Sequence, residues 1–228
     1  MIRRITILLL LSLLLNVSGA VTQTRPNACW IWRSSDLTLA DTCREWVLYQ
    51  GDFYAEESPR FVKRGIQPVK IDGRELVLLF RLNGLVDTAY LAAQISYAIT
   101  QWRHHGIDIQ HIQLDYDSPS SALTEYAAMV RTLKGEMPQV HLSATGLVTW
   151  YEDNPRGVER LANELDYIAF QLYQDYTPLP DTQRLTQRLI NFPYTYRLGI
   201  TRHTDFSSMR IATGNNYRGS MLFLNVRN

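Results

Sequence analysis

The sequence predicts a compact (β/α)8 TIM-like barrel with some helices reduced, and three observations predict it. Runs rich in branched and aromatic residues alternate with helix-like or turn-rich segments. Eight such runs are present. Within them apolar and polar residues alternate, so that one side of each run is apolar. Strand followed by helix implies a parallel sheet, and eight such units close most simply into a barrel. Without its first 20 residues the 228-residue chain stands near the lower limit of roughly 200 residues for this fold, so its loops must be short.

The chain opens with Arg3 and Arg4, an apolar run over residues 5–15, and a small-x-small pattern ending at Ala20. This reads as a secretory signal peptide over residues 1–20, followed by a single barrel domain over 21–228. The alternative, an uncleaved anchor, needs a run of ~20 apolar residues, and this one is shorter. The expectation is an exported protein, periplasmic or secreted, with no membrane span once the leader is removed. Export places Cys29 and Cys43 in an oxidising compartment, where they are expected to form a disulfide worth roughly 3 kcal/mol. With 23 basic against 22 acidic residues the net charge is +1, which argues against nucleic acid as a partner.

Strands are predicted near residues 29–32, 46–53, 76–82, 109–116, 140–145, 167–173, 197–201 and 221–225. The first convincing helix covers 88–105: Leu91, Ile95, Ala98 and Trp102 share a face, and Gly106 supplies the stop. A second covers 121–137, with Ser120 or Ser121 as N-cap and Pro138 beyond its end. Further helices are predicted over 154–165, with Pro155 at its first position, and over 181–190, with Asp181 as N-cap. The stretch 54–74 contains Pro59, Gly65, Pro68 and Gly73 and shows no helix; its "QPVKIDG" reads as an extra strand or hairpin.

Parity locates the chemistry. In the fourth run Ile112, Leu114 and Tyr116 oppose His111, Gln113, Asp115 and Asp117; in the sixth, Ile168, Phe170 and Leu172 oppose Gln171 and Tyr173. In the third, Leu78, Phe80 and Leu82 oppose Arg81 and Asn83, and in the fifth Leu142 and Ala144 oppose His141, Ser143 and Thr145. The apolar sets must face the helices. The polar sets then point inward and gather toward the C-terminal ends, where barrels of this type carry their sites. Desolvation and repulsion between Asp115 and Asp117 are expected to raise at least one of their pKa values, a division of labour suited to acid-catalysed cleavage of a glycosidic bond. A competing possibility is an inert buried ion pair between Arg81 and Asp115.

These residues resemble a known pattern. "QHIQLDYDSP" is similar to the fourth-strand motif D-G-x-D-x-D-x-E of family 18 chitinase-like glycoside hydrolases, and "DYIAFQLYQDY" to their sixth-strand segment. More closely, "CWIWR", "LLFRLNG", "QLDYD" and "LSATGLVTW" resemble a bacterial family called domain of unknown function 3142. The hydrolase resemblance implies that Asp117 stands for the catalytic Glu, Asp115 for the acid before it, and Tyr173 for the Tyr that holds the sugar's acetamido group. Gln110 and Gln113 replace the first two motif acids, and an Asp donor is one methylene shorter than a Glu.

The expected function is hydrolysis of a poly- or oligosaccharide, with Asp117 as general acid, Asp115 as the charge partner that tunes it, and Tyr173 and Gln171 orienting substrate. Trp32, Arg81, Asn83, Gln113, Trp150 and Asn225 complete the expected binding set, with Trp32 and Trp150 as sugar-stacking platforms and Trp30, Trp46 and Trp102 as core. Tyr151 and His203 are weaker candidates. The alternative is a non-catalytic glycan-binding barrel of the cell envelope; a third possibility is a structural barrel whose inward polar set is a satisfied hydrogen-bond network. No nucleotide, nucleophile-elbow or metalloprotease motif is present, so no cofactor and no metal are expected. A divalent cation on Asp115, Asp117 and Asn83 is the weaker alternative.

Overall fold

Eight parallel strands form a closed ring in the computed structural model, which describes residues 26–204 and 214–224 apart from Lys70 and Asp72. They are β1 (Ala28–Ile31), β2 (Glu45–Tyr54), β3 (Glu75–Asn83), β4 (His111–Asp115), β5 (His141–Leu147), β6 (Tyr167–Gln171), β7 (Tyr196–Thr201) and β8 (Tyr217–Phe223). Each pairs with its sequence neighbours, and β1 pairs with both β2 and β8, which closes the ring. The predicted (β/α)8 barrel is therefore the fold. Its signal-peptide region and Asn225 lie outside the described residues.

Helix α1 (Thr88–His104) follows β3, α2 (Leu123–Glu136) follows β4, α3 (Trp150–Asp153) and α4 (Pro155–Ala162) follow β5, and α5 (Thr182–Arg188) follows β6. Among the described residues, the connections after β1 and β2 carry no α-helix. A 3-10 turn, Ser34–Leu39, joins β1 to β2, and the strand Arg60–Lys63 folds back antiparallel on the end of β2. The extra strand is thus "RFVK" and not "QPVKIDG". Gly51 permits it: a Cβ there would meet the Val62 carbonyl oxygen at 2.4 Å.

Two side-chain caps form. Asn154 accepts from the Gly157 amide at 3.0 Å with Pro155 behind it, and Asp87 accepts from the Tyr90 amide at 2.9 Å. Two others do not. A 3-10 turn, Ser120–Ala122, leads into α2, so neither serine caps it, and Ser120 Oγ instead donates to Asp153 at 3.0 Å. Asp181 precedes α5 with φ 59, a left-handed backbone, and its side chain makes no cap bond.

The parity expectation holds. Outward residues such as Phe80, Leu114, Leu142 and Phe170 are buried against Leu91, Ile95, Trp102 and Leu133 of the helices. Inside the ring, Trp30, Val47, Val77, Leu79, Ala169 and Met221 form a second, smaller core at mid-height. Trp30 fits because β7 presents Gly199 to it; a Cβ there would lie 2.8 Å from the indole. Below this layer Arg197 pairs with Glu45 at 2.7 Å and lies over the Tyr167 ring at 4.4 Å.

Cys29 and Cys43 form the expected disulfide, tying β1 to the residues ahead of β2. Among the described residues no helix is long and apolar enough to cross a membrane.

Candidate functional site

The C-terminal ends of the strands open on a cavity of about 340 Å³. Asp115, the last residue of β4, lies on its floor with only 9% of its surface exposed. Thr145 on β5 donates its hydroxyl to Asp115 Oδ1 at 2.6 Å. Burial is the largest influence on this carboxyl and pushes it up to about 6; the Thr145 hydrogen bond and Arg81 pull against that, while Asp117 and Asp52 add to it. Asp117 stands two residues on, exposed at the rim. The loop that carries it is pinned: the Ser118 amide donates to Tyr116 O at 2.8 Å, and Trp150 Nε1 donates to Ser118 O at 2.8 Å.

Arg81 on β3 stands level with Asp52 on β2 and Asp115 on β4. The competing possibility, an Arg81–Asp115 ion pair, is absent among the described residues, and the guanidinium is exposed in the cavity. Asp52 is engaged elsewhere, accepting the Tyr49 hydroxyl at 2.7 Å and facing Arg64 at 3.5 Å. Its inward position comes from a bulge in β2. Between Tyr49 and Gly51 the register against β3 slips by one residue, and the extra residue, Gln50, turns outward to accept from Trp102 Nε1 at 3.0 Å.

Aromatic rings form the opposite wall. Trp32 lies over Tyr49 at 4.5 Å and meets Phe223 edge-on at 6.1 Å; Tyr173 stacks on Phe223 at 5.3 Å with 9° between planes. Asp36 fixes the exit of β1 by accepting the Trp32 and Arg33 amides at 3.1 and 3.0 Å. Burial, reinforced by Asp115 and Asp117, lifts the Tyr173 phenol well above its ordinary value, so it remains a hydrogen-bond donor. Beyond it, the short pairing of Tyr173–Gln174 with Thr177–Pro178 sets Asp175, with φ 55, and Tyr176 at the mouth.

Trp32, Arg81, Asp115, Asp117, Gln171 and Tyr173, all expected from sequence, line this one cavity. Three others do not. Gln113 is fully buried beneath it, accepting from Trp30 Nε1 at 2.6 Å and donating to Tyr167 Oη at 3.2 Å and Ser143 Oγ at 3.3 Å. Asn83 donates to Phe53 O at 3.3 Å beside the hairpin strand, which leaves the three-oxygen cation set unassembled. Trp150 is fully buried in the outer core against Tyr126 and offers no face to a sugar. Tyr151 packs on Phe192, and His203 is an exposed loop residue outside the cavity lining. Tyr49 and Asp52 were not legible because the bulge breaks the alternation; Thr145 and Phe223 lie on the inward side of their strands, but a lone hydroxyl and a phenyl ring carry no titratable group to single them out. Among the described residues no group of three or more His, Cys, Asp or Glu is arranged to hold a metal.

A closed parallel barrel with two acids, an arginine and an aromatic wall at its C-terminal mouth belongs to the TIM-like class that carries its chemistry on strand ends. Residues 72–184 match the family described as domain of unknown function (DUF3142). The match takes in Arg81, Asp115, Asp117, Gln171 and Tyr173, whereas Trp32, Tyr49 and Phe223 stand outside it. No curated protein matches the chain.

Proposed function

We propose that the protein is an exported, glycoside-hydrolase-like barrel that cleaves a glycan by carboxylate acid/base chemistry at the end of β4. Buried Asp115 carries this assignment: a carboxyl raised to about 6, beside a second acid, in a cavity walled by aromatic rings. A general acid works best when its pKa lies near the working pH, and burial is the usual means of raising one. The proton is therefore assigned to Asp115, reversing the roles expected from sequence, in which Asp117 was the acid. Asp117 then serves as the second carboxylate, facing water at the rim, where it can activate a nucleophile or meet developing positive charge. Tyr173 offers its hydroxyl to a substrate oxygen, and the Trp32 ring offers apolar area to a sugar face. Export is supported by the leader-like N-terminus and by the disulfide.

One observation favours a second function, a glycan-binding barrel without turnover: Tyr173, Phe223 and Tyr176 stack on one another, a wall that needs no acid chemistry. Turnover of a panel of envelope and extracellular glycans by purified protein, with Asp115→Asn and Asp117→Asn beside it, separates the two. Cleavage that vanishes in both variants is expected. Saturable binding without cleavage, unchanged by either substitution, would move the assignment to the binding barrel.

A further inference from the structure

We infer that the glycan bound at this mouth is acidic, with a carboxylate or sulfate oxyanion held by Arg81; the inference rests on the glycan-directed function proposed above. Arg81 is level with an acid on each neighbouring strand, yet both acids are committed to other groups. Asp52 holds the Tyr49 hydroxyl and faces Arg64, and Asp115 holds the Thr145 hydroxyl. Among the described residues Arg81 forms no ion pair with either, and it stands exposed in the cavity. Asp115 feels its charge, but the guanidinium's N–H donors are met by no carboxylate among the described residues and face water until an anion arrives. Its planar fork of donors matches a carboxylate or sulfate in two parallel hydrogen bonds.

The mouth is also polarised. Arg33 and Arg81 stand at the ends of β1 and β3, flanking the Trp32 and Tyr49 rings, whereas Asp115, Asp117 and Asp175 stand on the arc from β4 to the turn after β6. A sugar ring lying on Trp32 with its oxyanion at Arg81 has its linkage directed toward the β4 acids. A neutral ring leaves the guanidinium without a partner, and an ammonium-bearing ring meets its own sign of charge there.

The test is calorimetric binding of three oligosaccharides of equal length, neutral, uronic-acid and sulfated, to the full chain and to Arg81→Gln and Arg81→Lys. At low salt an acidic oligomer is expected to bind at least about tenfold more tightly than the neutral one, the worth of one charge-assisted contact. Arg81→Gln should erase that margin while keeping the hold on the neutral oligomer, and Arg81→Lys should retain part of it. Which acidic oligomer binds identifies the oxyanion. A margin unchanged in Arg81→Gln overturns the role of Arg81. Neutral oligomer bound as tightly as both acidic ones overturns the acidic assignment but leaves a glycan-directed barrel standing; no binding or cleavage of any of the three overturns both.

Discussion

Replacing Asp115 by Asn is expected to stabilise the protein at alkaline pH while abolishing its chemistry. The carboxyl's ordinary value of 3.8 rises to about 6 in the fold, so the folded state resists its ionisation. The sign follows from linkage: below about pH 3.8 both folded and unfolded chains hold the proton and the group costs nothing, whereas above about pH 6 the folded state bears the full penalty. At roughly 1.36 kcal/mol per pKa unit, that penalty is about 3 kcal/mol at pH 8 and about 1 kcal/mol at pH 4.5. Asn keeps an acceptor for the Thr145 hydroxyl. Asp115→Asn should therefore exceed wild type by about 2 to 3 kcal/mol at pH 8, an upward shift in melting temperature of roughly 4 to 12 °C for a domain of this size. Its advantage at pH 4.5 should be much smaller. His111 moves the other way: burial pulls it down to about 4, so stability falls as pH drops from about 6.5 toward 4, because the unfolded chain takes up that proton first. Both proteins carry His111, so its contribution cancels in the difference. Urea unfolding of the pair at the two pH values measures that difference. A variant no more stable than wild type at pH 8, or one with an undiminished advantage at pH 4.5, would refute the reasoning.

Three further outcomes are expected. If Asp115 donates the proton, kcat/KM should fall as pH rises through about 6, and an initial-rate profile that is flat from pH 5 to 7 would assign the acid elsewhere. Trp150→Phe keeps most of the ring volume but leaves the Ser118 carbonyl without its donor; a loss of about 1 to 3 kcal/mol in unfolding free energy, with kcat lowered more than KM is raised, would show that Trp150 positions the Asp117 loop. Gln113→Leu strands the Trp30 indole N–H and takes a donor from the Tyr167 hydroxyl, and should lower stability by about 2 to 5 kcal/mol in chemical denaturation while sparing affinity for glycan.

What was legible in the sequence followed from period-two patterning. Ile112, Leu114, Leu142, Ile168 and Phe170 reported the outer face of their strands because a strand under helices must be apolar there, and the same parity brought Arg81, Asp115 and Tyr173 to one mouth. Patterning fails where the backbone leaves register. The residue inserted at Gln50 puts both Tyr49 and Asp52 inside, which no strict alternation allows. It fails also where height along the barrel decides: Gln113 and Asp115 share a side, yet Gln113 lies one layer lower, locked under the cavity. Trp150 follows a strand end as a platform residue should, but the short helix it begins turns its ring into the outer core.

The ring has a seam, since β1, only four residues long, is where the last strand meets the first. Short strands at such a junction are natural places for transient fraying, and fraying here would carry off both the Trp32 face and the Trp30 prop beneath it. The Cys29–Cys43 bond spans the β1–β2 side of that junction, so β1 cannot peel away from β2 even when its hydrogen bonds to β8 open. Excursions are thereby confined to one side. In a reducing medium, amide exchange should quicken in β1 and β8 before it does in β4, and the aromatic wall of the cavity should loosen while the acids keep their places.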